Sequence, residues 1–151
     1  MNIAAVRLWP YAIALTRPWR SARADTTRRT GWLVRIDAGD GAHGWGETAV
    51  MPEAGTEDAE SAGAALAAAC ARLPGLDLDA ARAALPGYDR PAARCGRDGA
   101  LLDLEARRAG VPLHALLQRG SPAHVAVNAS CGPVDDGLAA RLMAAADAGF
   151  T

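Results

Sequence analysis

The sequence contains no lysine: all sixteen of its basic residues are arginine. That excludes every mechanism built on a lysine base or Schiff base, because arginine, with a pKa above about 12, does not release its proton in a protein. Cysteine is scarce as well. Cys70, Cys95 and Cys131 are odd in number and far apart, which provides neither a disulfide framework nor a Cys-x-x-Cys metal knuckle. A cytoplasmic location is the expectation. Net charge is almost absent, at −1, and this argues against a general nucleic-acid binder. No apolar run approaches the roughly 20 residues needed to cross a bilayer, so no membrane partner is expected. The opening "MNIAAVRLWPYAIAL" is interrupted by Arg7 and Pro10, and no cleavage signal follows it. It reads as a strand rather than a secretion signal.

What is present is enough for a real core: 151 residues, half of them apolar. Residues 3 to 9 and 31 to 38 alternate, and in the second run Trp32, Val34, Ile36 and Ala38 share one face while Leu33, Arg35 and Asp37 share the other. "AGDGA" then supplies an Asp-Gly turn and "HGWGE" returns as a third strand, so 31 to 47 reads as a hairpin. After Pro52 the period changes. Ala59, Gly63, Leu66, Cys70 and Leu73 describe a helix that Thr56 caps and Pro74-Gly75 ends. A shorter helix fits 78 to 85, and a third runs from Pro91 to Ala109 with Gly110 as its stop. "PLHALLQ" adds a turn or two, opened by Pro112. Strands followed by helices imply an α+β fold. "HVAVNASCG" and "VDDGLAARLMAAADAGF" then read as one β/α unit, with no second parallel strand after it.

These blocks resemble the N-terminal part of the mandelate racemase/muconate-lactonizing branch of the enolase superfamily. The resemblance runs through "RPWRSARA", "RTGWLVRI", "GWGETAVMPEAGTE", "ALLDLEARRAGVPLHALL", "VAVNASCG" and "AAADAGF". The pairing of "RTGWLVRI" with "GWGETAVMPEAGTE" looks most like the o-succinylbenzoate synthases, although Met51-Pro52 replaces part of their pattern. The resemblance implies an α+β capping domain, a three-stranded antiparallel meander followed by helices, over residues 1–110. Residues 111–151 would be a connector and the first β/α unit of an incomplete (β/α) barrel. It further implies a Mg²⁺-dependent dehydratase of menaquinone biosynthesis, which abstracts a proton next to a carboxylate and forms an enediolate. Other implied activities are a muconate cycloisomerase, a dipeptide epimerase or another racemase-type enzyme of the superfamily. A non-catalytic truncated capping domain is the reading from a different class. The family's lysine bases and carboxylate ligands belong to later barrel strands, so this chain alone is expected to supply no catalytic residue and no metal ligand. The implied partner is a small anionic carboxylate substrate, and a homo-oligomer is compatible with the resemblance.

Glu47 reads as structural: Gly44 and Gly46 clear one strand face for close backbone approach, Trp45 fills the other, and Glu47 satisfies backbone or arginine donors. The run from Arg17 to Arg29 holds five arginines against one aspartate. It is either a solvated loop or, as the resemblance implies, a lid contacting the distal part of an anionic substrate. Trp19, Arg20 and Ser21 from that lid, with Met51 and Pro52 from the loop after the third strand, are the candidate substrate contacts. Asn128 either faces the pocket from the end of the first barrel strand or enters a turn with Gly132-Pro133. His43, His114 and His124 lie in separate elements without metal-ligand spacing. Asp103 is expected to bond a neighbouring arginine or the backbone.

Overall fold

A computed structural model of the chain describes residues 2–21, 24–84, 90–118, 120, 122 and 124–150. Three strands, β1 (Ile3–Arg20), β2 (Asp25–Ala38) and β3 (His43–Ala49), form an antiparallel meander in the order β1-β2-β3. The turn between β2 and β3 is the expected Asp-Gly turn. Ala42 N–H donates to Asp40 Oδ1 (3.2 Å), and Gly41 sits at φ 88°, a left-handed conformation that suits glycine.

The first strand is longer than its alternation suggested, and the Arg17–Arg29 run is not a free loop. β1 continues to Arg20, β2 begins at Asp25, and Trp19 pairs with Thr26. Pro10 and Pro18 are tolerated there because β1 is an edge strand, where a missing N–H interrupts no ladder on the open side. The ladder shifts register between Ala14 and Trp19, as at a bulge.

Among the described residues a short 3-10 turn (Pro52–Ala54) and then five α-helices follow: α1 (Ala59–Cys70), α2 (Leu78–Ala83), α3 (Pro91–Ala109), α4 (Leu113–Leu117) and α5 (Leu138–Asp147). Residue 85, the expected end of α2, lies outside the described residues. The cap of α1 is Asp58, which accepts from Ser61 N–H (2.8 Å), and not Thr56. Thr56 instead holds the preceding turn, its Oγ1 accepting from Met51 N–H at 2.7 Å. α3 spans the predicted residues and ends at Gly110, which lies in the left-handed region at φ 65°.

Val34, Ile36 and Ala38 are buried against Leu66, Cys70, Leu101 and Leu104 from the helices, with Trp32 packed at the edge of that core. The predicted face therefore points inward. A Cβ on Gly63 would lie 2.7 Å from the Trp32 ring, so α1 meets β2 through a glycine. Burial pushes the Cys70 thiol up to about 11.

Residues 124–132 contain no strand, contrary to the expected β run. A strand is defined by a ladder, and among the described residues no neighbour pairs with the segment. α5 forms as expected, but none of its residues is buried. No helix among the described residues is long and apolar enough to cross a membrane.

Candidate functional site

The Gly-Trp-Gly-Glu block works by omission on one face and by stacking on the other. A Cβ on Gly44 would sit 2.2 Å from the Ala100 carbonyl oxygen, and one on Gly46 would sit 1.9 Å from that of Gly96. α3 therefore packs directly on the backbone of β3. On the outer face Trp45 stacks on Trp9, with ring centroids 5.4 Å apart, and the Arg35 guanidinium lies 5.5 Å from the Trp45 ring. Asp103 accepts from Trp45 N–H and from Arg107 Nε, both at 2.8 Å, so it bonds backbone and arginine together as expected.

Glu47 is structural, but its partner differs from expectation. Its carboxylate accepts the Tyr11 hydroxyl rather than a backbone or arginine donor. Tyr11 and Glu47 stand on opposite edge strands, and the bond crosses above Gly31, where a Cβ would collide with the Tyr11 hydroxyl at 2.6 Å. Burial pushes the Tyr11 hydroxyl up to about 12; Glu47 adds to the rise and Arg29 opposes it.

Met51 and Pro52 leave β3 directly below the β1–β2 hairpin, and a hollow of about 650 Å³ opens between them. Leu15, Trp19, Thr26, Arg28, Arg29 and Thr30 line it from the hairpin. Val50, Met51, Pro52, Glu53 and Ala59 line it from the other side. Three of the candidate contacts, Trp19, Met51 and Pro52, thus meet in one place. Arg20 lies elsewhere: with Arg17, Pro18 and Trp19 it faces Ser130, Gly132 and Pro133 across a second hollow of about 420 Å³. Trp19 is a wall of both. Ser21 closes the hairpin end, where its Oγ accepts from Ala24 N–H (3.1 Å). Asn128 is exposed and lines neither hollow.

Composition alone did not single out Arg28, Arg29, Leu15 or Glu53. The signal available was strand alternation, which puts Thr26, Arg28 and Thr30 on one face of β2 once that strand is extended back to Asp25. Glu57, near the hollow in sequence, is committed elsewhere: it accepts from Ala92 N–H (3.2 Å) and Ala93 N–H (2.8 Å) at the start of α3. Among the described residues no group of three or more His, Cys, Asp or Glu side chains is placed to hold a metal ion. The donor set of the described residues therefore does not fit Mg²⁺.

The family model for the mandelate racemase/muconate lactonizing enzyme N-terminal domain matches residues 4–118. Among curated proteins none matches. A dipeptide epimerase from Enterococcus faecalis V583, complexed with Mg and L-Leu-L-Tyr, superposes with a TM-score of 0.89 at 21% identity, over 99% of this chain and 44% of that one. A dipeptide epimerase from Methylococcus capsulatus, complexed with Mg and L-Arg-D-Lys, gives 0.80 at 30% identity, again over 99% and 44%. A mandelate racemase/muconate lactonizing protein from Herpetosiphon aurantiacus gives 0.87 at 26%, over 99% and 43%. The chain thus spans less than half the length of these structures. With the family model covering most of the sequence and the meander-then-helices architecture in place, the chain belongs to the mandelate racemase/muconate lactonizing enzyme family through its N-terminal domain.

Proposed function

We propose that this chain is the substrate-facing cap of an enolising enzyme, one that removes a proton from the carbon beside a carboxylate. In this reading residues 1–110 are the cap, and residues 111–151 are a connector and the first β/α unit of a barrel. The base and a Mg²⁺ ion would come from that barrel. The cap's own residues would cover the mouth, exclude water and grip the far end of the substrate. The observation that carries the reading is the meeting of Trp19, Met51 and Pro52 with two arginines in one hollow. Two separate segments converge there, as they must if a lid is to contact one ligand from both sides.

Among substrates, a dipeptide is the class we favour. Support comes from the Methylococcus capsulatus structure, a dipeptide epimerase with 30% identity to this chain. The second reading is an o-succinylbenzoate synthase, favoured by the blocks "RTGWLVRI" and "GWGETAVMPEAGTE". The two separate in one experiment. The protein carrying this cap and its barrel is incubated with Mg²⁺ in D₂O, and the substrate is followed by NMR. Deuterium entering the α-carbon of a dipeptide with inversion of configuration supports epimerisation. Loss of water from the cyclic hydroxy-dicarboxylate precursor of o-succinylbenzoate supports the synthase. Neither exchange nor dehydration with any small carboxylate would remove the enolising reading.

A further inference from the structure

We propose that Tyr11 is a positioning residue: with Glu47 and Arg29 it forms a polar strut across the outer face of the sheet. The strut fixes where Met51, and the Pro52–Ala54 turn rooted on it, stands relative to the β1–β2 hairpin. This deepens the reading above and rests on it, because the place of that turn matters to a reaction only if the cap faces substrate.

The strand registers put all three side chains on the face turned away from the helices. Val34 and Ile36 are buried inward, so Leu33, Gly31 and Arg29, which alternate with them along β2, belong to the outer face. Tyr11 pairs with Gly31 and Glu47 with Leu33, and cross-strand partners share a face. Each member of the strut thus comes from a different strand. Gly31 lets it pass, since a Cβ there would meet the Tyr11 hydroxyl at 2.6 Å.

The phenol stands between two opposite charges. Its hydroxyl donates to the Glu47 carboxylate and accepts from the Arg29 guanidinium. Both bonds are charge-assisted, and bonds arranged in such a chain polarise one another. Arg29 is half-buried, and its Nη1 also reaches the Met51 sulfur at 3.9 Å. A thioether is a weak acceptor, so the strength of that contact is not what matters. A guanidinium held by Tyr11 is a fixed surface for the Met51 side chain, whereas an unheld arginine samples many rotamers.

Met51 is the root of the turn. Its N–H donates to Thr56 Oγ1 at 2.7 Å, and its carbonyl accepts from Ala54 N–H at 2.8 Å and from Thr56 N–H at 3.4 Å. Displacing Met51 therefore displaces Pro52–Ala54 with it. Thr26 Oγ1 also reaches the turn, donating to Glu53, but at 3.4 Å that bond is too long to fix it.

The test follows the Met51 methyl group by NMR in the 151-residue chain labelled with methyl-¹³C methionine. Of the three methionines, Met51 is identified by the signal lost in Met51→Leu, and Met143, 69% exposed, is the unconstrained reference. In the wild type the Met51 signal should stand apart from that of Met143 and relax as a fixed methyl. Tyr11→Phe and Glu47→Ala should each move it towards Met143 and sharpen it. The double variant should do no more than either alone, because both changes open the same chain of bonds. Glu47→Gln keeps an acceptor for the hydroxyl and should retain the wild-type signal, a rescue that general loosening of the sheet would not show. Trp9→Ala, on the same face but outside the strut, should leave Met51 unmoved. A Met51 methyl already free in the wild type overturns the strut, as do additive shifts in the double variant or an equal shift in Trp9→Ala. Arg29→Leu, a third cut in a third strand, keeps the comparison decisive if one variant fails to fold. Because no ligand enters the measurement, its failure leaves the enolising reading intact, while absence of α-proton exchange in the protein carrying cap and barrel leaves a fixed Met51 standing.

Discussion

At the scale of single residues, the absence of a side chain governs as much as its presence. Gly46 and Gly99 both stand at the contact between β3 and α3, yet their substitution should have opposite effects. A Cβ on Gly46 meets the Gly96 carbonyl at 1.9 Å, a backbone atom that cannot swing away. Gly46→Ala should therefore destabilise the chain by about 3 kcal/mol, the upper end of overpacking costs. A Cβ on Gly99 meets nothing nearer than the Gly46 Cα at 3.7 Å, an ordinary contact. Within a helix alanine is favoured over glycine, so Gly99→Ala should stabilise by about 0.5–1 kcal/mol. Urea denaturation of both variants checks the pair, and a shared sign would show that the β3–α3 spacing is not what the distances imply. The need for small residues at Gly44 and Gly46 was legible in the triplet itself. Which residue would answer Glu47 was not, because Tyr11 lies 36 positions away and reaches it only over a third strand.

The same bond makes a pH prediction. Tyr11 has its folded pKa raised from 10.0 to about 12, by burial first and by Glu47 second. The unfolded chain loses that proton first. Its contribution to stability is thus fully present below pH 10 and is lost as the pH climbs through the folded value. Glu47→Gln should lower the Tyr11 pKa without returning it to 10, since burial remains. An ultraviolet difference titration of variant against wild type isolates this tyrosine, and an unchanged titration would mean that Glu47 does not touch it.

Among the elements, those bounded by punctuating residues were the most readable. α3 has Pro91 at its start and Gly110 at its stop, and it forms over the residues that these two predict. β1 reads short in the sequence because its second half, "YAIALTRPWR", lacks alternation, follows Pro10 and carries Pro18, so only pairing with β2 reveals it as a strand. The cap of α1 was misread for a comparable reason: Thr56 and Asp58 are both good caps, and only the backbone decides which precedes the first turn. Glu57 provides what no local motif announces, a carboxylate from outside α3 that satisfies two of its first N–H groups. Glu57→Ala should therefore cost about 2 kcal/mol, more than the roughly 1 kcal/mol expected for Asp58→Ala, which removes an ordinary cap. Thermal or urea unfolding ranks them. Equal losses would imply that water replaces Glu57 at the start of α3 without penalty.

Across the whole molecule, stability should be distributed unevenly, and the division follows the packing. α3 contributes Ala92, Ala93, Gly96, Arg97, Ala100, Leu101, Leu104 and Ala106 to the interior and lies flat on β3. α5 contributes none, and Val125, Val127, Leu142 and Met143 around it are between 51% and 78% exposed. The periodicity that made α5 readable in the sequence is an apolar stripe that no described residue covers, and the preceding run, also read from its side chains, joins no ladder among the described residues. An isolated helix shorter than about 12–15 residues is marginal in water, and α5 has ten. Arg141 is its main tether, donating from Nη2 to the Pro133 carbonyl at 2.6 Å and to Asp135 at 2.8 Å, and these contacts hold the turn before the helix rather than its length. Native-state hydrogen exchange should therefore find α3 amides opening only with global unfolding, while α5 amides exchange with protection below about tenfold. Arg141→Ala should remove even that protection and leave α3 unaffected. Protection of α5 equal to that of α3 would contradict the exposure of Leu142 and Met143. Repeating the measurement at high dilution would then show whether a second copy of the chain covers that stripe.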